Sequence, residues 1–103
     1  MMTKKRRSFI KPRLFVACPR GSEAVKMYGY GMELRLRART HHEAAQHAAH
    51  RLHGRRAWAA LIAGEPGKNA TYQAYVDLPT GGATSIGANF LIAERYVWPK
   101  VTP

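Results

Sequence analysis

The sequence predicts an α+β domain built as a mostly antiparallel sheet of about five strands with one helix packed on one face, in the order β-β-α-β-β-β. Three observations carry that expectation. Residues 32–39 read Met-Glu-Leu-Arg-Leu-Arg-Ala-Arg, an alternation of period two that belongs to a strand with one apolar and one cationic face. At Thr40 the period becomes helical. After Gly54 the chain returns to short apolar runs separated by glycine-rich and proline-containing turns. With 103 residues, 46% of them hydrophobic, one core suffices and no second domain or internal repeat is expected.

In chain order, residues 1–12 form a basic flexible arm closed by Pro12, and residues 13–103 form the single domain. Residues 13–18 make a first strand, ended by the turn Pro19-Arg20-Gly21-Ser22. Residues 26–39 make a long second strand in which Tyr28, Tyr30, Met32, Leu34 and Leu36 share a face, while Gly29 and Gly31 leave the other face bare. Thr40-His41-His42-Glu43 is a capping box, with the threonine hydroxyl accepting from the Glu43 amide and the glutamate returning the bond. Ala44, Ala45, Ala48, Ala49 and Leu52 then fall on one helical stripe, and Gly54 supplies the carboxy-terminal stop. An alanine face lets the helix lie close to the sheet and asks for large partners such as Trp58, Phe15 or Tyr28. Residues 55–63 return as a third strand and 65–69 turn. Residues 70–78 form a fourth strand with Tyr72, Ala74, Val76 and Leu78 on one face. Residues 80–87 form a glycine-rich loop, and 89–98 a fifth strand.

Charge narrows the function. Seventeen Lys and Arg against six Asp and Glu give a formal charge of +11, which strains the compact state by self-repulsion and suits a polyanionic partner. Lys4, Lys5, Arg6 and Arg7 lie in an arm without acids and would dock on phosphates when ordered. Arg35, Arg37 and Arg39 stand two residues apart, at a spacing near that of phosphates along an extended strand. The bland alternative is a solvated outer sheet face. Arg51, Arg55 and Arg56 extend the charge around the helix exit.

Other chemistry finds little footing. Cys18 is the only cysteine, which excludes an intrachain disulfide, favours a reducing, cytoplasmic setting and makes packing its expected role. No apolar run approaches the roughly 20 residues of a bilayer span, so no membrane partner is expected. His41, His42, His47, His50 and His53 lie in or beside the helix. They lack a cysteine or carboxylate at ligand spacing, so the reading is a polar face that gains charge below about pH 6.5 rather than a metal site. The acids are scattered, and the Gly81-Gly82 loop lacks the lysine and hydroxyl of a phosphate cradle. No catalytic residue, cofactor or metal is expected, and no enzyme.

Two resemblances add to this reading. Lys26-Met27-Tyr28-Gly29-Tyr30-Gly31 resembles in part the aromatic strand of RNA-recognition-motif domains, with Met27 where that motif carries glycine. The resemblance implies base stacking on Tyr28 and Tyr30, whereas their parity with Met32, Leu34 and Leu36 makes them core residues. Residues 32–63, with Ala38-Arg39-Thr40, the Ala44, Ala48 and Ala49 helix and the return through Arg55-Arg56, resemble the core of small anti-CRISPR proteins of phages and mobile elements. That implies a non-enzymatic inhibitor of a nucleoprotein effector. The expectation is therefore binding of nucleic acid or a nucleoprotein complex by an arginine-lined sheet face and a basic arm. The alternative is an inhibitor of anti-CRISPR type that meets an acidic protein surface on a host effector complex.

Overall fold

The computed structural model describes residues 11–95, so Lys4, Lys5, Arg6, Arg7 and Trp98 lie outside the described residues. The chain runs β1 (Arg13–Pro19), α1 (Gly21–Tyr28), β2 (Leu34–Ala38), α2 (His41–His53), β3 (Trp58–Glu65), β4 (Lys68–Asp77) and β5 (Ala83–Glu94). The strands form one five-stranded sheet in the order β2-β1-β5-β4-β3, and every neighbouring pair is antiparallel. The α+β class and the antiparallel sheet match the sequence expectation. The number of helices does not.

The additional helix, α1, replaces the start of the expected long second strand. Ala24 is buried, while Val25 and Tyr28 are half-buried, a stripe at helical spacing. Glu23 in the first turn and Lys26 in the last suit the helix dipole. Gly29 stops the helix at φ +92°, its amide donating to the Val25 carbonyl at 2.9 Å. Eight residues make only a marginal helix in isolation, and tertiary contacts hold this one. Arg20 N–H donates to the Asn89 carbonyl at 2.8 Å, and the Tyr28 hydroxyl meets His53 Nε2 at 3.2 Å. Tyr28, Tyr30 and Met32 therefore do not share a strand face. Tyr28 closes α1, and Tyr30 stands 89% exposed in the following turn.

The alternation holds where β2 forms: Leu36 and Ala38 are buried, Arg35 and Arg37 exposed. The α2 amino terminus is capped by Thr40 Oγ1, which accepts from Glu43 N–H at 3.0 Å. The glutamate completes the box one residue early, its Oε1 accepting from Arg39 N–H at 2.9 Å. Gly54, at φ +98°, ends the helix.

Ala44, Ala45, Ala48 and Ala49 are fully buried and let α2 approach the sheet closely. The large side chains beneath are Phe15, Tyr72, Phe90 and Ile92. Full burial of the two phenylalanines and the isoleucine contributes about 1.5–3 kcal/mol each. Of the expected partners only Phe15 belongs to this core. Trp58 pairs with Tyr75 on the far face of the sheet, because Ala59 and Ala74, the adjacent paired residues, are the ones that face α2. Leu78, expected on the core face of the fourth strand, is 41% exposed, lying beyond the end of β4 in the turn.

The expected glycine-rich loop over 80–87 is shorter, since β5 already begins at Ala83. Leu78 N–H donates to the Gly82 carbonyl at 3.0 Å, which closes the turn. The register between β4 and β5 shifts between Tyr72 and Ala74. There Gln73, 9% exposed, donates from Nε2 to the carbonyls of Ala74, Ile86 and Gly87 at 3.0–3.2 Å. At Gly87, φ is +75°, and a Cβ would run into the His53 ring, so only glycine fits where α2 presses on β5.

Candidate nucleic-acid interface

Edge strand β2 and helix α2 border one cleft of about 330 Å³, lined by Arg35, Leu36, Arg37, His47, His50 and Arg51. Leu36 is the one of these β2 residues that faces α2, so Arg35 and Arg37, on the opposite side of the strand, border the cleft around the sheet edge. Arg35 and Arg37 are brought together by strand geometry, which sets residues i and i+2 on one side roughly 6.6 Å apart. His47, His50 and Arg51 are brought together by helix geometry, since i, i+3 and i+4 share a face. No acidic side chain lines the cleft. The nearby carboxylate of Glu43 is engaged by Arg39 N–H and lies 3.9 Å from His47 Nε2. Among the described residues, neither Arg35 nor Arg37 nor Arg51 has a carboxylate within salt-bridge distance. The α2 macrodipole partly offsets the charge of Arg51, which sits in the last turn.

The other expected contact residues are dispersed. Arg39 follows β2, with its backbone fixed on both sides: its N–H bonds Glu43 and its carbonyl accepts from Arg13 Nη2 at 3.0 Å. Arg55 and Arg56 are exposed in the turn between α2 and β3 and do not line the cleft. Tyr28 is tied to His53, and Tyr30 lies in a turn, so the two rings are not presented side by side on a strand.

Two other carboxylates are locally paired. Arg13 Nη1 contacts Glu94 Oε1 at 2.9 Å, and Arg95 Nη2 contacts Glu33 Oε2 at 3.2 Å. Arg95 lies beyond Glu94, beside Leu14, and Glu33 precedes Leu34 beside Cys18. Their ion pair therefore crosses Val16, which is only 6% exposed although it faces away from α2.

Burial pushes the Cys18 thiol up, and Glu33 adds to this against the smaller opposing pull of Arg20 and Arg95. The thiol is held neutral, the opposite of what activates a cysteine nucleophile. Burial also lowers the His53 pKa and raises that of Tyr28, consistent with a neutral pair in which the phenol O–H donates to the ring. Among the described residues no group of three or more His, Cys, Asp or Glu is arranged to hold a metal ion, and no helix is long and apolar enough to cross a membrane.

Sequence reasoning named Arg35, Arg37 and Arg51 but did not join them. Helical spacing marks His47, His50 and Arg51 as one face, but the docking of α2 beside β2 is a tertiary fact. No protein-family model matches the chain, and neither does any curated protein.

Proposed function

We propose that the protein binds nucleic acid, free or within a nucleoprotein complex, without catalysis, and that the β2–α2 cleft is its principal phosphate contact. The observation that carries this reading is the gathering of Arg35, Arg37 and Arg51 with His47 and His50 in a cleft that no acid lines. A guanidinium fork suits phosphate oxygens, and a net charge of +11 supplies the long-range attraction that such contacts exploit. The basic segment 4–7 supplements the cleft as a second phosphate-seeking element.

Filter binding with a random-sequence oligonucleotide tests the proposal. Affinity should be measurable at low salt, fall steeply as salt rises, and depend little on sequence. Absence of binding at low salt overturns the proposal and transfers the cleft to an acidic protein surface, as for an inhibitor of anti-CRISPR type.

A further inference from the structure

Among the described residues, Trp58 and Tyr75 are the large aromatic side chains on the sheet face turned away from α2. They are cross-strand partners, their rings stacked with centroids 5.0 Å apart and planes 23° from parallel. Trp58 Nε1 donates to Asp77 Oδ1 at 2.9 Å, which fixes the indole plane. Both rings remain partly exposed. The residue paired with Tyr75 on β5 is Ser85, too small to close the stack from that side. A pre-oriented aromatic pair with an end that no described residue blocks offers a stacking surface for a flat ring.

The same face carries a groove of about 380 Å³ between the start of α1 and β4–β5, lined by Arg20, Gly21, Asn69, Thr71, Asn89 and Leu91. It lies on the diagonal from the aromatic pair to the β2 arginines. Leu91 is paired with both Cys18 and Thr71, and Arg35 is paired with Val16 across the neighbouring strand. By ideal sheet spacings, Arg35 and Tyr75 are roughly 25 Å apart. That length would be covered by an extended strand of about four nucleotides, the lower end of the site sizes of single-strand-binding sheets. Of the acids near this path, Glu33 is engaged by Arg95 and Asp77 by the indole, while Glu23 lines the adjoining groove that shares Arg20 and Asn89.

We infer that the open sheet face takes single-stranded nucleic acid, with a base stacked on the Trp58–Tyr75 pair and the backbone running past Arg20 to Arg35 and Arg37. This rests on the proposed function and specifies its substrate class. In a duplex the π-faces of the bases are occupied by neighbouring bases, whereas an unpaired strand presents them.

The chain holds two tryptophans, so Trp98→Phe in the full chain leaves Trp58 as the sole indole emitter. Titration with a short oligodeoxythymidylate should quench that emission, and a duplex of equal length should not. Trp58→Leu should weaken oligodeoxythymidylate binding at least about fivefold, with duplex binding changed less than twofold. Trp58→Phe, which keeps a ring over Tyr75, should recover most of the loss. If Trp58→Leu fails to fold, the quenching experiment decides, and unquenched emission at saturation overturns the inference. Undiminished oligodeoxythymidylate binding by folded Trp58→Leu, alongside weakened binding by Arg35→Gln/Arg37→Gln, sinks the stacking surface and leaves the cleft standing. Loss of all binding in the unaltered chain sinks both.

Discussion

Replacing Arg35, Arg37 and Arg51 together by Gln tests whether the cleft is a phosphate contact or a sum of unrelated surface charges. The three residues border one cleft at the sheet edge, so a single polyanion passing over that edge would engage all of them. Each phosphate neutralised on a single strand contributes about 0.7 to the slope of log affinity against log salt, so three contacts contribute about 2. A fourfold rise in salt, from about 50 to 200 mM, should therefore weaken the parent by roughly 20-fold more than the variant. Filter binding across that range measures both slopes. The matched control is Lys11→Gln/Lys26→Gln/Lys68→Gln, which removes equal charge from exposed positions that do not line the cleft. If both triples lose the same slope, the protein acts as a diffuse cation and the cleft has no special standing. An unchanged slope in the arginine variant refutes the phosphate contacts outright.

Two further outcomes concern the scaffold. Gln46 on α2 accepts from Ala59 N–H and donates to the Ala59 carbonyl, both at 3.0 Å, standing in for a neighbouring strand on the β3 edge. Gln46→Ala should cost about 1–3 kcal/mol for the part-buried groups left unpaired and promote concentration-dependent association through that edge, read by thermal melting and light scattering; an unchanged melting temperature contradicts the bonding. His53 gives a pH dependence. Its folded pKa lies below the usual histidine value because of burial, so the unfolded chain takes up more protons as pH falls. Stability from this group is complete above about pH 6.5 and declines as pH drops through the unfolded value toward the lower folded one. The melting temperature of the parent should fall more than that of His53→Gln between neutral and mildly acidic pH, and parallel profiles would exclude His53 as the source.

What the sequence made legible was local. The alternation in residues 34–38 and the capping of α2 depend on neighbours a few residues apart, and both appear in the structure. The stretch 21–33 did not read correctly because two patterns overlap there. Ala24, Val25 and Tyr28 are spaced for a helix, but Tyr28-Gly29-Tyr30-Gly31-Met32 also alternates like a strand, and it runs directly into the true strand that follows. Gly29 resolves the conflict: its positive φ terminates α1, which breaks the apparent continuity. The Trp58–Tyr75 pair was illegible for another reason. The parity of Tyr75 follows from Tyr72 and Ala74, but that of Trp58 depends on where β3 starts after the Arg55-Arg56 turn. A shift of one residue sends its side chain to the other face.

The two exposed edges of the sheet bear on whether the arginines of β2 serve the proposed binding or only meet solvent. An edge strand needs protection from adventitious pairing, and charge is a common way to supply it. On β3, protection comes instead from Gln46 and from register shifts after Leu61 and Ala63, with no added cation. Arg35 and Arg37 could serve that purpose on β2 by themselves. They do not require α2 to bring His47, His50 and Arg51 to the same cleft, and gathering Arg51 with the two β2 arginines, none of the three paired with a carboxylate among the described residues, costs stability in the free protein. A site kept at the expense of the fold is the pattern of a binding surface. The arginine-to-glutamine triple should accordingly melt at the same temperature as the parent or slightly higher at low salt, even as its nucleic-acid affinity falls. A marked drop in melting temperature would mean that these side chains hold the fold together, and the charge of the cleft would then need no ligand to account for it.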